Sequence, residues 1–236
     1  MACADRRLTM LVQQAIPSLD VVAGATAIAL DFETASHSPG SICSIGLAWI
    51  ADGQVAHTAH RLIRPHDMRF DPWHVSIHGI QPHDVEFEPE FPSVWEELLP
   101  HLEATPLLLA HNAPFDIGVL RAALQHYDLA PPTFSYLCTV KIARAAWPDL
   151  PNHKLPTVAE HIGFALQHHA ADSDAAACAG IALRAMQDAG SADLMSLLPR
   201  FGIRPGRLEP DYHEACTSAT ERRSAFRRQR PPPWLR

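Results

Sequence analysis

No stretch of this chain approaches the roughly 20 consecutive apolar residues that a membrane-spanning helix needs, and no two of its cysteines form a CxxC pair. The first absence excludes an integral helical membrane protein. The five cysteines (Cys3, Cys43, Cys138, Cys178, Cys216) are an odd and scattered set. Neither a disulfide framework nor a cysteine-based zinc site is therefore expected, and the reading is a reducing, cytoplasmic setting. The opening MACADRRLTM lacks the apolar stretch and cleavage pattern of a signal peptide. Internal repeats and long low-complexity segments are missing as well. What the 236 residues do contain is 47% hydrophobic and 19% charged side chains, too apolar for a disordered chain and enough for one large domain with a short appendage.

Charge is divided unevenly. The chain has 26 acidic and 19 basic side chains, a net charge of −7. Six arginines and one glutamate fall in the last sixteen residues, ERRSAFRRQRPPPWLR. The body before them is thus strongly acidic, and an acidic body repels nucleic acid unless cations neutralise it where the acids cluster.

Residues 1–24 carry a short helical pattern (Leu8, Leu11, Val12, Ile16) ended by Pro17 and read as an N-terminal extension. Ala25–Leu30 is a short apolar run that stops at Asp31, the mark of a buried strand. Ser44–Ile50 and Val55–Ile63 form a hairpin around Ala51-Asp52-Gly53-Gln54. A Pro-, His- and Asp-rich stretch follows, with short helical turns, and then a helix over Ser93–Leu102. Beyond it the pattern gives a strand (Leu107–Ala110), a helix (Ala113–Tyr127), a strand (Thr133–Cys138) and a helix (Thr139–Trp147). A short helix (Thr157–Ile162) and an alanine-rich one (Ser173–Gln187) complete the domain. The order predicts an α/β architecture, a mixed five-stranded sheet flanked by helices. After about residue 190 the signal fades, and residues 191–236 are expected to be a loosely held Pro/Arg-rich tail.

Three acidic patches stand out. In Asp31-Phe32-Glu33-Thr34, strand alternation puts both acids on one side, about 7 Å apart at Cα. Acidic turns at strand ends are common without an ion, but two converging carboxylates repel unless a cation lies between them. In His111-Asn112-Ala113-Pro114-Phe115-Asp116, Asn112 is a plausible N-cap and Pro114 suits a first turn. Asp116 could simply complement the helix dipole, yet it heads the apolar stripe Val119, Leu120, Ala123, Leu124 and so faces the core edge. Asp174 likewise heads Cys178, Ile181, Ala182 and Ala185. His169, on the loop five residues earlier, becomes a candidate proton acceptor beside four acids.

These segments, DFET, HNxxFD and HxxxxD in this order, resemble the three motifs of the DEDDh exonucleases, the DnaQ-like 3′–5′ exonuclease superfamily, over roughly residues 25–190. DFETA, SICSIGL, SIHGI and HNAPFD are most similar to the bacterial DNA polymerase III epsilon-like group. Ala170 stands where the tyrosine variant of the family would carry Tyr, so the histidine variant fits. The resemblance implies a ribonuclease H-like fold. It also implies that Asp31, Glu33, Asp116 and Asp174 hold two Mg²⁺ or Mn²⁺ ions and that His169 deprotonates the attacking water. The substrate so implied is a single-stranded 3′ end, DNA favoured over RNA, with a DNA polymerase as a candidate partner and no membrane. Phe32 and Thr34 would cradle the terminal nucleotide, and Asn112, Phe115 and His78 would line the same pocket.

Other readings stay open at this stage. An RNA-trimming enzyme would use the same fold and chemistry, and a non-catalytic polymerase-docking subunit would be marked by loss of an acid, of which none is missing. Fifteen histidines also raise zinc. His74 and His78 are four apart, but no HExxH surrounds them and nearby prolines oppose a long helix, so zinc is not expected.

Overall fold

The apolar run before Asp31 lies in the middle of a sheet, in a computed structural model that describes residues 13–229. It forms β1 (Ala27–Thr34), which continues through the acids rather than stopping at them. The hairpin follows as β2 (Ile42–Ala51) and β3 (Gln54–Leu62). Its two-residue turn has Asp52 at φ 50° and Gly53 at φ 72°, the pair of positive angles that matches the twist of flanking strands. Next come two short helices, α1 (Pro72–His78) and α2 (Pro82–Val85), and then α3 (Phe91–Ala104), β4 (Leu107–Ala110) and α4 (Ala113–His126). β5 (Phe134–Cys138), α5 (Thr139–Ala146), α6 (Leu155–His161) and α7 (Ala171–Ala189) complete the expected domain. Element ends differ from expectation by a few residues, where helix termini fray.

The region after residue 190 corrects two expectations. In place of a loose tail there are α8 (Leu194–Phe201), β6 (Ile203–Arg204), β7 (Gly206–Glu209), β8 (Tyr212–Glu214), β9 (Thr217–Ser218) and α9 (Ala219–Gln229). The main sheet therefore has seven strands, in the order β3-β2-β1-β4-β5-β7-β8, not five. β1 pairs parallel with β4 and β4 with β5, while β7 adds antiparallel to β5. Strands of two to four residues are too short to show alternation, which is why the sequence hides them. Gly206 lets β7 dock: a Cβ there would lie 2.2 Å from Cζ of Tyr136. Lys141 on α5 forms an ion pair with Glu221 on α9, and Arg222 donates to the carbonyls of Thr217 (2.9 Å) and Gly202 (3.0 Å). Arg222 is thus engaged within the fold, whereas Arg230 and Arg236 lie outside the described residues.

Most of the N-terminal helical pattern, Leu8 to Val12, also lies outside them. Gln14, just beyond, makes an antiparallel bridge with His60 instead of a helical turn.

α7 lies across β1, β2 and β3 and packs against α5 and α6. Its first turn comes so close to the sheet that a Cβ on Gly46 would stand 1.9 Å from the carbonyl carbon of Ala171. Gly46 is the register partner of Asp31, so the same close approach that docks α7 carries its acids toward β1. Gly46→Ala should destabilise the protein by about 3 kcal/mol, the upper end of an overpacked core. The unfolding midpoint in urea measures this, and a loss below about 1 kcal/mol would mean that α7 does not sit on Gly46.

Candidate active site

β1 pairs with β4 at Ile28 and Ala29 and with β2 along its length, with an irregularity in register between Glu33 and Thr34. Along it Asp31 and Glu33 are half-buried while Phe32 and Thr34 are buried. The acids therefore share one side, as alternation predicts.

Asp116 reaches the same place from α4. It is 1% exposed, and its Oδ1 accepts the backbone N–H of Phe32 at 3.3 Å. The turn that starts α4 differs from expectation in one detail. Asn112 occupies the N-cap position, but with φ 74° and ψ 46° and no capping hydrogen bond from its side chain. Its carbonyl instead accepts the N–H of Phe115 at 2.9 Å. The left-handed backbone, which asparagine tolerates better than most residues, leaves the side chain among the groups that line a cleft.

Asp174, 3% exposed, comes from the first turn of α7. Its Oδ2 accepts the backbone N–H of His169 at 3.1 Å and lies 3.0 Å from Nδ1 of His168. His169 has φ 68°, a left-handed conformation that glycine adopts more readily than other residues, and its ring stacks on that of His168 with centroids 3.7 Å apart. Nδ1 of His169 is 3.9 Å from Glu33 Oε1.

One oxygen each from Asp31, Glu33 and Asp174 lies within 4.8 Å of the others. Burial shifts every group in this place, and on β1 the neighbouring negative charges add to it. Burial first, then the charges of Asp116, Glu33 and Asp174, push the Asp31 carboxyl well above its ordinary value. Burial and the charges of Asp174 and Asp116 raise Glu33 to about 8. Burial raises Asp116 to about 8 against the pull of the Phe32 N–H. For Asp174, burial raises the carboxyl while His168 opposes it. Partial burial, followed by the neighbouring His168, lowers His169, so that imidazole is neutral near pH 7 and able to accept a proton. Converging, all-oxygen, mutually repelling donors fit a hard divalent cation such as Mg²⁺ or Mn²⁺, which would remove the repulsion.

The acids open into a cleft of about 900 Å³. Phe32, Thr34, His78, Asn112 and Phe115 all line it, as do Asp31, Glu33, Asp174 and His169, whereas Asp116 lies beneath. Several lining residues escaped the sequence reading. His168, the ring that meets Asp174, belongs to none of the three motifs, although its place beside His169 is a signal. His111 is lowered to about 4 by burial. Being neutral, it donates through Nε2 to the His153 carbonyl (3.0 Å) and accepts the Thr139 hydroxyl at Nδ1 (2.9 Å). Trp73 and the exposed cations Arg144 and Lys154 sit on the walls, and nothing in the spacing of the sequence marks them.

A mixed sheet with helices on it and acids gathered at the end of its central strand defines the class, a ribonuclease H-like nuclease domain. The exonuclease family model RNase_T matches residues 28–182. The chain belongs to this exonuclease family. Relatives include a DNA polymerase III PolC-type of Thermotoga petrophila, 31% identical over 163 residues, 68% of this chain and 12% of the relative. Another is the 3′-5′ exonuclease DinG of Bacillus subtilis, 29% identical over 63% of this chain and 16% of the relative. The chain therefore spans only a small part of the length of these curated relatives. Among solved structures, Exonuclease X in complex with 5′ overhanging duplex DNA is similar with a TM-score of 0.60 and 24% identity, over 75% of this chain and 99% of that one. The nuclease domain of 3′hExo bound to rAMP has a TM-score of 0.60 and 20% identity, covering 70% and 94%. At these identities the two share the fold.

Without a cation, the raised carboxyls bind protons more tightly in the folded than in the unfolded chain. Their contribution to stability is fully present below about pH 4, near the ordinary values of 3.8 and 4.5, and is lost as pH rises toward about 8. The rise in melting temperature on adding Mg²⁺ should accordingly be larger at pH 8 than at pH 5. Differential scanning calorimetry tests this, and an equal rise at both values would contradict a shared carboxylate site.

Proposed function

We propose that the protein is a divalent-cation-dependent 3′–5′ exonuclease that removes nucleoside 5′-monophosphates from single-stranded 3′ ends, with DNA favoured over RNA. The observation that carries this reading is the meeting of Asp31, Glu33 and Asp174 at one point, above Asp116 and beside His169. In the proposal these four carboxylates hold two Mg²⁺ or Mn²⁺ ions. When bound there, such ions supply an activated water and neutralise charge on the departing 3′ oxygen.

The chain's own groups have separate tasks. His169 accepts the proton of the attacking water, a task suited to a neutral ring at the edge of the acids. His168 holds Asp174 against rotation through its Nδ1 contact. Phe115, 46% exposed in the cleft, offers a face for a base to stack on. Arg144 and Lys154, which line the same cleft, attract the phosphate backbone that the acids repel.

DNA as the substrate is supported by the PolC-type relatives and by the DNA in the Exonuclease X complex, and a polymerase partner by the PolC-type names. An RNA substrate has in its favour the rAMP bound to the 3′hExo domain. Single-stranded DNA and RNA of one sequence, each labelled at the 5′ end and incubated with Mg²⁺ or Mn²⁺, separate the two. Stepwise shortening with release of 5′-mononucleotides is expected, faster on DNA; no release with either ion would leave a binding module.

Asp174→Ala should abolish turnover while circular dichroism shows a folded protein. Activity that survives in this variant would refute the four-carboxylate assignment. His169→Ala should slow the chemical step by roughly 10²–10⁴-fold with Mn²⁺ affinity little changed. An unaltered single-turnover rate would remove His169 as the base.

A further inference from the structure

A second cluster of ligand-type side chains stands at the rim of the cleft, where Thr34, Trp73 and His74 meet it. We propose that His37, Asp71 and His74 form a binding site for a zinc-class transition metal, separate from the carboxylate site and selective for a different kind of ion. The inference does not depend on the exonuclease reading.

Geometry is the first support. One ligand atom from each of the three lies within 4.8 Å of the others, and His74 Nε2 is 3.3 Å from His37 Nδ1. Two imidazole nitrogens bound tetrahedrally to zinc at about 2.0–2.1 Å stand about 3.3–3.4 Å apart. The observed separation is that of a tetrahedron's edge.

The cluster is also held in place before any ion arrives. His74 is 8% exposed, and its Nδ1 is 3.2 Å from Thr34 Oγ1. With Nδ1–H donating to that hydroxyl, the Nε2 lone pair is directed at the cluster, the outer hydrogen bond that metal-binding histidines usually have. Asp71 occupies the N-cap position of α1, yet its side chain makes no capping bond. Instead its Oδ2 accepts the His37 N–H at 3.1 Å, and its own N–H donates to the Ala35 carbonyl at 2.8 Å. These two bonds fasten the loop after β1 to the start of α1. Trp73 covers the cluster, its ring stacked on His37 at 5.6 Å and edge-on to His74 at 4.9 Å. The nearby cation is Arg69, exposed, with Nε 4.0 Å from Asp71 Oδ1.

Chemistry then separates the two sites. Two imidazoles and one carboxylate favour Zn²⁺, Co²⁺ or Ni²⁺, while an oxygen-only set favours Mg²⁺ or Mn²⁺. Three protein ligands leave the fourth position to water. An ion here would lock the loop carrying His37 to α1 and so stiffen the wall that includes Trp73 and His74.

Cobalt is the probe. The full chain, kept in saturating Mg²⁺ so that the carboxylates are occupied, is titrated with Co²⁺ and followed in the visible spectrum. One equivalent should produce the strong bands of a four-coordinate ion, bleached by Zn²⁺. His37→Ala and Asp71→Asn should each weaken binding by about 100-fold or more, since losing a ligand costs at least as much as losing an outer partner. Should His37→Ala misfold by circular dichroism, His37→Gln takes its place. Absence of these bands in the unaltered protein overturns the proposal. So do bands that persist in both variants, or that vanish in His168→Gln, which would put the ion at His168, His169 and Asp174.

Discussion

Like charge forced into a small buried volume is the condition on which this structure turns. Burial opposes the meeting of Asp31, Glu33, Asp116 and Asp174: it raises each carboxyl, the acids of β1 are raised also by their neighbours' charge, and the N–H groups on Asp116 and Asp174 offset this in part. The fold imposes it through a steric device. β1 is fixed in register between β2 and β4, and Gly46, opposite Asp31, has no side chain to hold α7 away. The hydrophobic docking of α7, through Ala175, Cys178, Ala179 and Ala182 in the main core, supplies the force that brings its leading acid to the strand. The core thus works against the electrostatics of the site, an opposition that a divalent cation would relieve.

The parts of this arrangement that were legible in the sequence are those with a period or a register. Alternation along β1 placed Asp31 and Glu33 together. The helical spacings behind Asp116 and Asp174 turned both inward, where each is almost wholly buried. What could not be read depends on contacts between segments far apart in the chain. His168 and His169 are adjacent and chemically alike, yet one ring meets Asp174 and the other Glu33, a division set by the left-handed backbone at His169. His37 and His74 meet across 37 positions. The zinc reading of the sequence looked for spacing on one helix, and a loop-to-helix pair has no such spacing.

The same limit explains the segment after residue 190. β7 and β8 are four and three residues long, and their place in the sheet follows from the flat space above Gly206 that accepts the Tyr136 ring, not from any pattern of their own. Adding them extends β5 beyond an otherwise open edge, which would expose unpaired backbone. It also gives a large net acidic chain a folded use for some of its arginines, as Arg222 shows by its bonds to Thr217 and Gly202.

Asp174 has two consequences at once. Its carboxylate belongs to the converging acids, and its Oδ2 also accepts the backbone N–H of His169. A residue at φ 68° that is not glycine persists where surrounding contacts fix it, and here those contacts are the Asp174 carboxylate and the stacked ring of His168. The group proposed to accept the proton is therefore positioned by one of the acids proposed to hold the cations. Base and cation site are coupled through a single side chain, so their contributions to the reaction cannot be independent.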